Sequence, residues 1–196
     1  MFNMKDAIAQ LELIFDKANE KYFGNELPRP IITIQLGKGN AYGWCTSREA
    51  WVNDDDDKKY FEINVCAEYL NRSIEELCAT IIHEMVHLKN SVDDIKDCNG
   101  KYHNGKFRDA AEKIGMIVEK TTYGYSYTSL SEEQIEFVHS LGLKSFGFKR
   151  ILPDKKKSKK TGYKHECPVC GASFWSSRML NVHCEYCDES FEIVNQ

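Results

Sequence analysis

The sequence predicts an α+β domain followed by a small cysteine-rich unit. Three observations carry this. Apolar side chains recur at helical spacing over about 4–23, short β-branched runs follow them, and two C-x-x-C pairs stand near the C-terminus. The chain has 196 residues, 42% of them hydrophobic and 12% aromatic. That is enough for one cored domain plus an appendage, and too apolar for a disordered chain.

Each element has a local reason. In the opening helix Ile8, Leu11, Phe15, Ala18 and Tyr22 are spaced by three and four, and "NELPRP" ends it. "IITIQL", 31–36, is a short β-branched strand. "AYGWCTSREAWV" is expected to be a second strand or hairpin arm, and "YFEINVC", 60–66, a third. The acidic run 54–57 joins the last two as a solvated turn, since it lacks the spaced ligands and glycine of a calcium loop. Ser73 and Glu76 form a capping box for a helix reaching about Asn90. Phe107, Ala110, Ala111 and Ile114 make the stripe of the next helix, which Gly115 stops. "SEEQIEFVHSLG", 131–142, is a short helix with a Ser cap. No element is assigned to 116–130. The boundaries expected are 1–148 for the first domain, 149–161 for a basic linker and 162–196 for the second unit.

The second of these helices carries His83-Glu84-x-x-His87. Residues four apart share a helix face, so both imidazoles can point at one metal ion. Glu84 sits beside them and can reach a water at that ion without being a ligand. Ile81, Ile82, Met85, Val86 and Leu88 surround the pair, so the helix is expected to be buried on most sides. Two imidazoles and a carboxylate are costly in such a setting unless paired or metal-bound. His103, 16 residues after His87 and flanked by the turn signals Asn99-Gly100 and Asn104-Gly105, is the expected third ligand. It is preferred over His139, read as a partly exposed helix residue, and over Asp93, Asp94 and Asp97, read as a solvated loop. Tyr42, Tyr102, Tyr123 and Tyr125 remain open as stabilisers of a developing oxyanion.

"IIHEMVHL" followed by "YHNGKFRDAAEKIG", with "FGNELPRPIITIQ" before them, resembles the SprT-like (Spartan/SprT) metalloprotease family. The resemblance covers nearly the whole chain. It implies a small zincin-type metalloprotease domain, a short sheet plus active-site helices. It also implies a catalytic zinc on His83, His87 and His103, with Glu84 as catalytic acid–base. Characterised members degrade proteins crosslinked to DNA in a DNA-dependent way, which makes a DNA-bound protein the implied substrate. A C-terminal pair of C-x-x-C motifs is a common companion in this family.

Cys167, Cys170, Cys184 and Cys187 form two knuckles with 13 residues between Cys170 and Cys184. Four thiolates at such spacing make a closed, structural zinc site, here a four-cysteine zinc ribbon. His183 in place of Cys184 would give a finger-like spacing; "ASFWSS" and "NVHCEYC" look more like strands than a helix. His165 is read as a flanking residue. The scattered Cys45, Cys66, Cys78 and Cys98 are read as buried small hydrophobes. Net charge is -4, yet 149–164 holds eight Lys or Arg and one Asp. There Lys155, Lys156, Lys157, Lys159 and Lys160 can neutralise phosphates, and Trp175 can stack on exposed bases. No apolar run has the length to cross a membrane, and the N-terminus lacks signal-peptide features, so an intracellular monomer with reduced thiols is expected. Two rival readings remain: a non-catalytic zinc adaptor binding DNA or protein, and a regulatory peptidase with one specific protein substrate.

Overall fold

A computed structural model describes residues 3–37, 39, 41–152 and 162–194. The chain divides into two compact units, Met1–Leu152 and Pro153–Gln196.

In the first unit, α1 (Met4–Phe23) starts at an Asn3 cap completed by Asp6 and ends on Gly24 in the left-handed region. Its buried stripe is Ala7, Leu11, Ile14, Phe15 and Ala18, one step round from the expected one; Ile8 and Tyr22 are only half-buried. Strand β1 (Ile31–Gln35) pairs in parallel with a later central strand. The expected long arm over 41–52 is instead two short strands, β2 (Gly43–Cys45) and β3 (Trp51–Val52), separated by irregular backbone. The expected strand 60–66 likewise divides into β4 (Lys59–Tyr60) and β5 (Glu62–Cys66). Strands β3 and β4 form a hairpin around the acidic turn. The sheet order is β1-β5-β2, with β2 antiparallel to β5 at an edge.

Strand β5 is buried on both faces. Ile63 and Val65 enter the hydrophobic core, while Glu62 and Asn64 accept from Thr33, Gln35 and Trp51. Those partners meet the cost of burying polar side chains in a central strand.

After a short 3-10 turn, α2 (Ile74–Val92) begins at the Ser73–Glu76 capping box the sequence predicts. It is the central helix: Leu77, Ile81, Ile82, Met85 and Leu88 are fully buried against α1 and the sheet. Two short strands, β6 (Cys98–Asn99) and β7 (Tyr102–His103), lead into α3 (Gly105–Lys113), capped by Asn104. Residues 116–130, unassigned from sequence, form the hairpin β8 (Ile117–Thr121) and β9 (Gly124–Ser129). The resulting sheet has the order β6-β7-β9-β8. Helix α4 (Glu132–Ser140) closes the helical set, with His139 exposed and paired to Glu75 at 2.7 Å. No helix among the described residues is long and apolar enough to cross a membrane.

The second unit is all β. Strand β10 (Tyr163–Glu166) lies between β11 (Ser173–Ser176) and a terminal strand, and β12 (His183–Cys184) pairs with β13 (Glu189–Ser190); β14 (Glu192–Val194) is that terminal strand. No helix occurs among its described residues, in line with a ribbon rather than a finger. His165 lies outside the cysteine cluster, as a flanking residue should, yet it is part of this unit's core. It is fully buried, its ring lies flat on Phe174 at 4.8 Å, and its Nε2 is 2.9 Å from Ser176 Oγ. So small a unit has few apolar groups, and an imidazole on β10 serves as core.

Candidate metal centre and active site

The structure brings His83, His87 and His103 together. Helix α2 supplies the first two one turn apart. The third arrives on β7, whose position depends on the unforeseen hairpin: His103 N–H donates to Tyr123 O at 3.0 Å. Gly124 permits this approach. Its φ is +71°, and a Cβ there would lie 2.0 Å from His103 O. The three Nε2 atoms are 3.0–3.2 Å from one another. The fully buried Phe107 forms their floor, with its ring centroid 4.5–4.7 Å from each imidazole.

Every Nδ1 has a partner. His87 Nδ1 is 2.7 Å from Asp97 Oδ2, His103 Nδ1 is 3.2 Å from Lys101 O, and His83 Nδ1 is 2.9 Å from Thr128 Oγ1. A carbonyl or carboxylate oxygen only accepts, so Nδ1 carries the proton in His87 and His103, and Nε2 presents a bare lone pair. Lone pairs converging at this distance repel one another unless a cation lies among them. Zinc–nitrogen bonds of about 2.05 Å in a tetrahedron place ligand nitrogens about 3.3 Å apart, so the triangle fits such an ion. Burial, then the neighbouring imidazoles, holds His83 well below its ordinary value, and the same causes bring His103 down to about 4. Both rings therefore stay neutral, the form a metal requires.

Glu84 is buried on the α2 face turned toward β2. The Cys45 backbone N–H donates to its carboxylate, and a Cβ on Gly43 would stand 3.2 Å from Glu84 Oε1. Burial pushes the Glu84 carboxyl up to about 7. That is the range in which a group both takes and returns protons near neutral pH.

Asp97, read from sequence as part of a solvated loop, is instead mostly buried and holds His87. Asn90 Nδ2 donates to the same oxygen at 2.9 Å. Burial pushes the Asp97 carboxyl up, but the hydrogen bonds from His87, Asn90 and Cys98 with the His87 charge together outweigh it and leave it below the usual range. Thr128 and Asp97 were not legible as site residues. The alternation of "IVEKTTYGYSYTS" about Tyr123-Gly124 is the signal that would have found the hairpin bearing Thr128. Asp97 has no spacing signal. Cys45 and Cys98 are half-buried beside this site, whereas Cys66 and Cys78 are buried as expected. Tyr125 Oη is engaged by Arg108 Nη1 at 3.1 Å, and Tyr42 stacks on Arg72.

In the second unit, Cys167, Cys170, Cys184 and Cys187 place their sulfurs within 4.8 Å of one another, with Cys170 and Cys184 at 3.8 Å. Zinc–sulfur bonds of about 2.3 Å put tetrahedral sulfurs about 3.8 Å apart, so this set also fits. The backbone N–H groups of Cys170 and Val169 hold the Cys167 thiol down to about 7. His183 lies outside the cluster, exposed and 2.9 Å from Asp188. Trp175 on β11 is 45% exposed. The five linker lysines, Lys155, Lys156, Lys157, Lys159 and Lys160, lie outside the described residues.

No curated protein matches the chain. The sequence model of the SprT-like family matches residues 11–132, a span that contains the three imidazoles, Glu84 and both partners of His87 and His83, Asp97 and Thr128. The chain belongs to the SprT-like family and carries its metalloprotease-like domain.

Proposed function

We propose that the chain is a zinc-dependent endopeptidase. The observation that carries this reading is the convergence of three imidazole Nε2 atoms on α2 and β7 beside the buried Glu84 carboxyl. Zinc held by His83, His87 and His103 supplies Lewis acidity, polarising a carbonyl and making a water more acidic. The chain's own residues do the rest. Glu84 takes the proton of the attacking water at its carboxylate and delivers it to the leaving amine. The Cys45 N–H fixes the direction in which that carboxylate faces. Asp97 and Lys101 O keep His87 and His103 in the right tautomer, and Thr128 orients the His83 ring. In the second unit, Cys167, Cys170, Cys184 and Cys187 would hold a structural zinc that takes no part in the chemistry.

The test is Glu84→Gln in the full zinc-loaded chain. It should retain zinc and lose cleavage of an unfolded protein by at least about 100-fold. Cleavage at the wild-type rate overturns the mechanism. As substrates we propose proteins bound or crosslinked to DNA, a reading supported by the lysine run at 155–160 and the exposed Trp175. Cleavage of a DNA-bound protein should rise when single-stranded DNA is added. Equal rates with and without DNA would favour a peptidase with one protein partner.

A further inference from the structure

Tyr42 stands immediately before β2. It is 50% exposed although two groups hold its ring. The Arg72 guanidinium lies 4.1 Å from the ring centroid, and Tyr69 meets it edge-on at 4.9 Å. Arg72 is itself fixed at three points: Nε donates to Tyr69 O at 3.2 Å, Nη1 to Glu76 O at 3.4 Å and Nη2 to Thr80 Oγ1 at 2.8 Å. Among the described residues no carboxylate forms an ion pair with it. The Cys66 N–H donates to Tyr42 O at 2.9 Å, which fixes the backbone as well. The next residue, Gly43, lies against Thr80 and Glu84. The half-exposed ring is therefore one residue from the point where β2 touches the proposed proton carrier. Adjacent Cα atoms are about 3.8 Å apart, and an extended peptide advances about 3.3 Å per residue.

Resting on the peptidase reading above, we propose that Tyr42, propped by Arg72, is a shelf for one substrate side chain near the cut bond. The shelf selects aromatic and branched aliphatic side chains. One ring face is taken by Arg72 and an edge by Tyr69, so the remaining face is what an incoming side chain meets. A ring already immobilised loses little entropy when that side chain lands on it, and apolar area is buried there.

Peptide hydroxamates, which anchor on zinc, make the test independent of turnover. Calorimetry on the zinc-loaded full chain should show compounds bearing Phe or Leu binding about tenfold tighter than the Gly compound. Tyr42→Phe should keep this order. Tyr42→Ala should reduce Phe and Leu to the level of Gly while leaving zinc content and the Gly compound's affinity unchanged, which also shows that the variant is folded. The wild-type order persisting in Tyr42→Ala overturns the shelf alone. Failure of every hydroxamate to bind overturns the metal-centre reading and the shelf together.

Discussion

At the scale of single residues, the site joins groups whose protonation preferences are opposed. Glu84 holds its proton more tightly in the folded chain, at about 7 against an ordinary 4.5. In the metal-free protein this contribution to stability is therefore present at low pH and lost as pH rises from about 4.5 to 7. Metal-free Glu84→Gln should accordingly be more stable than metal-free wild type at pH 8, by on the order of 3 kcal/mol. By pH 5.5 the gap should have shrunk to less than half, as read from urea unfolding at both values. A gap that ignores pH would contradict the burial of a carboxylate there. His83 and His103 act in the other sense. Their folded values lie below 6.5, so their contribution is present above about 6.5 and lost as pH falls through those lower values, about 4 for His103. Asp97 is the other residue-scale prediction. Asp97→Asn removes the charge that orients His87 and should weaken zinc binding by about 10–100-fold in competition with a chelator. Undiminished affinity would reduce Asp97 to a loop residue.

Among the elements, the hairpin of β8 and β9 matters more than its exposed surface suggests. It carries Thr128 to His83, and its turn receives the His103 N–H. Gly124→Ala puts a methyl group into His103 O at a left-handed φ, so β9 must move away from β7. We expect a loss of about 2–4 kcal/mol in stability. Zinc affinity should fall with it, because the strand that carries His103 shifts. Thermal melting and metal titration of the same variant check this: a drop in stability with unchanged zinc affinity would show the hairpin to be structural only. Helix α2 is more tolerant. Ser73→Ala removes one cap bond far from the imidazoles and should cost about 1 kcal/mol without changing zinc affinity.

For the whole molecule, the two units owe their stability to different physics. The first has a continuous core running from Ala7 to Phe146. The second has little apolar area, so its fold should depend on the cysteine-bound metal. The chain is expected to hold two zinc ions, and Cys170→Ser to hold one. Hydrogen exchange after chelation should show residues 162–194 losing protection while α1 and α2 keep theirs. Protection retained in the ribbon would mean that His165, Phe174 and Phe191 hold it without metal.

The sequence by itself determined the helices, the metal-binding pattern and the cysteine cluster, because each is written in local spacing. At 3.6 residues per turn a spacing of four aligns His83 with His87, a cap three residues from its glutamate starts α2, and a C-x-x-C knuckle closes on itself. The family resemblance, carried by the same residues, is matched over 11–132. Only the tertiary structure decided which groups hold the imidazoles, where Glu84 faces, that Asp97 turns in to His87 rather than to solvent, and that His165 is core. The contacts of His87 with Asp97 and of His83 with Thr128 join positions 10 and 45 residues apart. No local periodicity encodes them, since they arise where a hairpin, a loop and a helix close on one another.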